Sequence, residues 1–299
     1  MTNQSNMESG EEPEELFEPS RATQLSIVWR KLKSSKLAVA GFGIVMFMII
    51  LALLAPVIAP YDLAWMGRSR RPPSMEHLFG TDAQGRDMFT LVLYGAQISL
   101  YVGIAAVAVE MLIGLAIGMI SGYFGGVIDE VLMRITDLIL TLPTLPLLMV
   151  TIVLFEARSI HVIVLVMGVF GWPFMARVVR SEFLTLRETT FVEAAKSMGA
   201  TPWRIITRHI MPNVLSTIIV IGTMDIAWFI FWEATLTFLG FGDTSSPSWG
   251  VLLEKGYLYL RSAWWMITFP GLALFFTSLG FNLFGDGLRD ALDVTTRGR

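Results

Sequence analysis

The chain has 299 residues, 54% of them apolar and only 16% charged, with a mean hydropathy of +0.62. Soluble domains carry about 25% charged residues, so this composition excludes an ordinary water-soluble globule and points to one membrane-embedded unit. The lack of cysteine excludes a disulfide scaffold, a thiolate metal site, an iron–sulfur cluster and cysteine catalysis, and a net charge of −3 without a basic cluster beyond the helix flanks argues against nucleic acid as a partner.

In chain order, residues 1–24 are polar, hold Glu8, Glu11, Glu12, Glu14, Glu15 and Glu18, and read as a disordered tail rather than a signal peptide, which needs a basic start. The segment 25–61 carries the first membrane helix: residues 37–61 are 25 positions without a charge, more than the roughly 20 that cross the hydrocarbon layer. An external loop, 62–96, follows. A core over 97–285 then holds five further apolar stretches, at about 97–121, 131–155, 160–180, 213–239 and 263–285, with a loop at 181–212 and a tail at 286–299. The fold class is an all-α, polytopic transmembrane bundle of six spans. Alternate loops hold 15 and 7 of the 22 Lys and Arg residues. The positive-inside rule therefore places both termini and the 181–212 loop in the cytoplasm, with Arg30, Lys31, Lys33 and Lys36 before the first span dominating the orientation.

Within the spans, Gly114, Gly118 and Gly122 recur every four residues and predict a close helix–helix contact, with another span or with a partner subunit. Ionisable groups are costly in lipid and default to functional candidates, so Glu110, Asp225 and Glu233 are candidates for a solute path, with bonding to neighbouring helices an equal reading for Asp225 and Glu233. Arg134 and Asp137, three apart, are expected to pair on one helix face. Pro143, Pro146, Pro173 and Pro270 interrupt spans, as in the broken helices of transporters. No phosphate-binding loop, metalloprotease helix or nucleophile elbow is present, and His77, His161 and His209 are widely spaced. No catalytic residue or metal ligand is assigned, and the chain is not expected to hydrolyse ATP.

The loop between the fourth and fifth spans reads as helix, stop, helix. Gly199 suits a left-handed C-cap; Thr201 and Pro202 suit an N-cap and first helical position. Phe191, Ala194, Ala195 and Met198 fall at helical spacing and form an apolar face that no span buries, which predicts a docking surface. Farther out, Asp82 is expected to cap a turn and Gly85 to bend the backbone. Met88, Phe89, Val92 and Leu93 are expected to lay an apolar face on the membrane interface.

Glu193-Ala194-Ala195, with Gly199 and then Pro212, resembles the EAA loop of ABC importer permeases, with His209 and Met211 standing where Ile and Leu are usual. Phe79–Asp87, with Gly80, Thr81, Asp82, Gly85, Arg86 and Asp87, followed by Leu93–Leu100, resembles the first external loop of the C-type permease of dipeptide and oligopeptide importers. Phe238–Gly242, Pro247–Gly250 and Phe281–Asp293 are similar to later segments of that group.

The resemblance implies a multi-pass permease subunit of the inner membrane that binds no cofactor itself. It also implies partners: a second permease in a heterodimer, two cytoplasmic ATPases binding ATP and Mg, and an extracytoplasmic solute-binding protein. The EAA loop would dock on an ATPase. The competing expectation is an ion-gradient-driven transporter or channel, with Glu110, Asp225 and Glu233 as its ion sites.

Overall fold

The computed structural model describes residues 29–155 and 159–297, and the tail expected over 1–24 lies outside these described residues. The described residues are helical apart from connections and one isolated bridge, Thr81 to Asp87. Helix α1, Lys36–Leu53, begins where the Ser35 side chain accepts the Ala38 N–H at 3.3 Å. It stops short of the expected residue 61, and a short α2 follows over Ala55–Ile58. Pro56 is the reason: it cannot donate to the Ala52 carbonyl one turn back, and that carbonyl instead accepts from Gln97 Nε2 at 2.7 Å.

Helix α3, Met88–Phe124, has 37 residues and starts nine positions before the expected span. Asp87 fixes the start, its Oδ2 accepting the Thr90 N–H at 2.8 Å. The span over 131–155, expected to be interrupted at Pro143 and Pro146, is two helices, α4 (Gly126–Thr141) and α5 (Thr144–Leu154), bent by 92°. Leu142 and Pro143 adopt extended backbone at the break, as a residue preceding proline prefers. Next come α6 (Ile160–Arg187), α7 (Thr190–Ser197) and α8 (Pro202–Ile205). A π-helical turn, Ile206–Ile210, then leads into α9 (Met211–Phe238). Helices α10 (Trp249–Tyr257) and α11 (Trp265–Arg297) complete the chain. Among the described residues, five helices are long and apolar enough to cross a membrane, and six spans result when the bent α4–α5 pair counts as one.

The glycine ladder of α3 lies against α6 of the same chain. A Cβ on Gly114 would sit 2.7 Å from Met175 Cβ, on Gly118 2.6 Å from the Ala176 carbonyl, and on Gly122 2.6 Å from Phe183 Cβ. Gly168 answers from α6, where an added Cβ would lie 2.5 Å from Val109 Cβ. Without side chains between them the two backbones come into direct contact, which is how helices associate where the hydrophobic effect gives no drive. Helix α3 runs from Met88 at one end to the junction of Tyr123 and Arg187 at the other. There the guanidinium of Arg187 donates to the Tyr123 carbonyl at 3.1 Å.

Candidate functional site: a lever, a chamber and a cap

At the Arg187 end, α7 is held by its buried side. Val192 and Ala195 are buried with Ile205, Ile206, Ile210, Val214 and Phe183 in one apolar cluster. Ala195 thus departs from the expected solvent-facing stripe, because the turn after α7 folds α8 and the π turn back over it. Phe191, Ala194 and Met198 remain exposed, Met198 at 80% of its free surface, and Trp203 on α8 joins them at 67%. Glu193 is exposed as well.

The stop between the helices is a Schellman turn. Gly199 has φ +78°, its N–H donates to the Lys196 carbonyl at 2.9 Å, and the Ala200 N–H donates to the Ala195 carbonyl at 3.1 Å. The Thr201 hydroxyl accepts the Arg204 N–H at 3.4 Å, and Pro202 opens α8. Pro212 sits in the first turn of α9. It removes the donor that would meet the Arg208 carbonyl, and the preceding turn widens so that the Met211 N–H reaches the Ile206 carbonyl. The proline is visible in the sequence, whereas nothing there marks the π turn.

Polar pairs tie this end to the spans. Asp129 on α4 accepts from Arg180 Nε at 2.5 Å and Nη2 at 2.6 Å, and also from the Ser121 hydroxyl. Asp137 pairs with Arg177 at 2.5 Å, not with Arg134 as expected; the bend lays α4 along α6, and a neighbouring helix supplies the nearer cation.

Two of the three candidate path acids share a cavity. Glu110 of α3 and Asp225 of α9 line one cavity of about 340 Å³, walled by Trp228, Phe229 and Trp232. Phe174, Asp225 and Trp228 also line a chamber of about 910 Å³ that extends to Thr189 and Phe191 at the α7 end. Glu182 and Arg289, which hydropathy could not single out near helix ends, line this chamber too. Glu233 takes the second of its two expected roles, bonding to neighbouring helices. It is fully buried elsewhere, accepting from Ser248 Oγ at 2.7 Å, Thr237 Oγ1 at 3.0 Å and Ser99 Oγ at 3.5 Å. Ser99 Oγ in turn accepts the Trp249 N–H at 3.2 Å. Glu233 therefore fastens α3, α9 and α10 together, its carboxyl oxygens met by three hydroxyls.

The opposite end is a closed knot. Asp82 Oδ1 accepts the N–H groups of Gln84 and Arg86, each at 2.8 Å, while its Oδ2 pairs with the Arg86 guanidinium at 2.7 Å. The Thr81 hydroxyl donates to the Arg68 carbonyl at 2.8 Å, and the Thr81 carbonyl accepts from Trp265 Nε1 at 3.0 Å. Gly80 and Gly85 both have positive φ, +73° and +83°, and a Cβ on Gly85 would lie 2.2 Å from the Gly67 carbonyl oxygen. The second oxygen of Asp87 meets His77 Nδ1 at 2.9 Å, in a pair that is 1% exposed on each side. Met88, Val92 and Leu93 are buried in the protein and Phe89 is half-buried, correcting their expected place on the membrane interface; residues of α10 and α11 cover Met88 and Val92. On α10, the ammonium of Lys255 is pushed below the usual lysine range, by desolvation first and then by the charge of Arg86.

Comparison with known proteins gives this geometry a family. Residues 114–298 match the family described as binding-protein-dependent transport system inner membrane component, and residues 23–73 match the N-terminal transmembrane domain of oligopeptide transport permease C. The dipeptide transport system permease protein DppC of Bacillus subtilis is 38% identical over 296 residues, covering 98% of this chain and 92% of the relative. The oligopeptide permease OppC of the same organism is 36% identical over 302 residues, covering 95% and 98%. The glutathione transport system permease protein GsiD of Pectobacterium atrosepticum is 39% identical over 269 residues, covering 89% of each. Among solved structures, a chain of the inward-facing MetNI methionine ABC transporter aligns with a TM-score of 0.54 at 21% identity, covering 71% of this chain and 97% of that one, and so shares its fold. The chain belongs to the family of inner membrane permease components of binding-protein-dependent transport systems, in the group of the dipeptide and oligopeptide C-type permeases.

Proposed function

We propose that this chain forms half of the solute path of an ABC importer for dipeptides, oligopeptides or a related solute, driven by partner ATPases through the 181–212 loop. Its termini and this loop face the cytoplasm. The second half of the path is another permease, with two ATPases that bind ATP and Mg below and a solute-binding protein above. The observation that carries the reading is α7 itself: an exposed apolar face on a helix whose other side is locked into the cluster joining α6 to α9. A push on Phe191 and Met198 therefore reaches the helices that line the chamber, and a rigid-body displacement follows. Substrate class rests on the names of the relatives, two of which are dipeptide and oligopeptide permeases.

The ion-driven alternative uses Glu110 and Asp225 but gives the exposed face of α7 no role. The deciding experiment is to tag the chain, extract it gently from its native membrane and identify the chains that stay bound. A second permease and two ATPases with phosphate-binding loops are expected. Recovery of the chain alone, with uptake indifferent to ATP, overturns the proposal.

A further inference from the structure

Glu110 is 3% exposed, and its Oε2 has no hydrogen-bond partner among the described residues; the same holds for the buried Asp225 Oδ2. Both groups line the smaller cavity. The contrast with Glu233, whose oxygens are met by three hydroxyls, shows that this fold supplies donors to a buried acid where the acid is structural. At Glu110 Oε2 and Asp225 Oδ2 it does not; among the described residues Thr144 brings the one hydroxyl to the smaller cavity and no Lys or Arg lines it, while Arg289 lines the larger chamber that Asp225 also lines. A buried carboxylate without donors is costly in lipid, so the pair is built to be met by something that enters.

The walls define what enters. Trp228 and Trp232 stand with ring centroids 6.5 Å apart at 27°, and Phe229 closes a third side. Gly171 adjoins the acid: a Cβ there would come to 3.6 Å from the Glu110 carboxyl carbon, an ordinary contact, and to 2.7 Å from Phe229 Cζ, so glycine is what lets the Phe229 ring pack beside the acid. A hard metal ion needs about six oxygen ligands, and no group of three or more His, Asp or Glu is placed to hold a metal among the described residues. Two carboxyl groups in a cavity walled by tryptophan rings suit an organic ammonium, which can gain from charged hydrogen bonds and from the ring quadrupoles together. The cavity, about 340 Å³, is a side chamber of the 910 Å³ space that shares Asp225 and Trp228. A solute could place its ammonium in the side chamber while its remainder stays in the wider path.

Resting on the reading of the chain as a peptide permease, we infer that Glu110 and Asp225, walled by Trp228 and Trp232, form a subsite for the primary ammonium group of the transported solute. Selection for an amino terminus is then made in the membrane as well as by whatever delivers the solute.

The test measures binding directly, so that a binding protein cannot supply the selectivity. The full chain, with the subunits that remain bound, is placed in lipid nanodiscs without any solute-binding protein. Saturation-transfer NMR then follows Ala-Ala and N-acetyl-Ala-Ala. Loss of a charged hydrogen bond should weaken Ala-Ala binding about tenfold or more in Asp225→Asn and in Glu110→Gln. N-acetyl-Ala-Ala should bind the wild type as weakly as Ala-Ala binds these variants. Asp225→Glu keeps the charge and should restore binding, which separates loss of the site from loss of the fold. Equal binding of the two peptides, or unaltered binding by Asp225→Asn, overturns the inference. So does displacement of Ala-Ala by sodium but not by methylammonium. ATP-driven uptake is scored separately, in sealed proteoliposomes made from the same preparation. Uptake without ammonium selectivity sinks the subsite alone, whereas acid-dependent Ala-Ala binding by a chain recovered without ATPases, with uptake indifferent to ATP, sinks the importer reading and leaves the subsite standing.

Discussion

Arg180 grips Asp129 with two parallel hydrogen bonds, Nε to Oδ1 at 2.5 Å and Nη2 to Oδ2 at 2.6 Å, across a separation of 51 residues. The planar fork of arginine fits both oxygens of a carboxylate, which lysine cannot do. Because Asp129 stands in the first turn of α4 and also receives the Ser121 hydroxyl of α3, one pair fixes three helices at the end of the molecule that carries the lever.

The pair is partly exposed, with side-chain exposures of 32% and 16%, so only a fraction of the strength of a buried ion pair applies. Arg180→Lys and Asp129→Asn should each lower stability by about 1 kcal/mol, with the double variant costing clearly less than the sum. Thermal unfolding of the four proteins in one detergent closes the cycle. Strict additivity would mean that the contact contributes nothing.

Gly199 gives a sharper probe of the lever, because no atom lies within 4 Å of where its Cβ would be. Any effect of substitution comes from backbone strain at φ +78° and not from a clash. Gly199→Val should cost roughly 1 to 2 kcal/mol locally, redirect α8 and abolish ATP-driven uptake while the chain stays in the membrane. Gly199→Asn, which tolerates the left-handed conformation, should retain most of the uptake. Normal uptake by Gly199→Val would remove the turn from the coupling path.

The ladder of α3 predicts the reverse kind of failure. At Gly118 a Cβ would meet the Ala176 carbonyl at 2.6 Å and Val179 Cβ at 2.7 Å, so even alanine must push the α3 and α6 backbones apart. Gly118→Ala should destabilise by about 1 to 3 kcal/mol, the usual cost of overpacking. Gly43 lies in α1 with nothing within 4 Å. Gly43→Ala should be neutral or slightly stabilising, since alanine is the better helix former by about 1 kcal/mol. Comparing the two midpoints of thermal unfolding distinguishes packing from propensity, and equal shifts would discard the ladder as a tight contact.

How much of this was legible in the chain depends on the range of the interaction. Gly199, Thr201 and Pro202 announce their turn because capping is settled within a few residues, and the apolar runs announce spans because length against the bilayer is a local property. Pro143 signals a break, but its 92° angle is set by what α4 and α5 pack against. Arg134 is the obvious partner for Asp137 by spacing, yet Arg177, 40 positions on, takes it. Glu110 and Glu233 look alike in sequence; only the arrival of Ser99 and Ser248 separates the satisfied acid from the unsatisfied one. For Met88 and Val92 the pattern says apolar cover, without saying whether lipid or α10 provides it.

The outer knot supplies a prediction that depends on pH. Lys255 has its ammonium disfavoured first by partial burial and then by Arg86, so its folded pKa lies below its unfolded value. Between those two values the unfolded chain binds the proton that the folded chain has released, so by proton linkage stability rises with pH across that window. Below the folded value the charged lysine weakens the fold by a constant amount, and above the unfolded value, near about 10.4, the penalty is gone. Lys255→Met should therefore raise the unfolding midpoint at pH 7. Its advantage should shrink as pH climbs toward the unfolded value. A midpoint that is lower for Lys255→Met at pH 7 would show that the ammonium is instead stabilised, with Glu254 and Asp82, the acids that act on it, outweighing burial and Arg86.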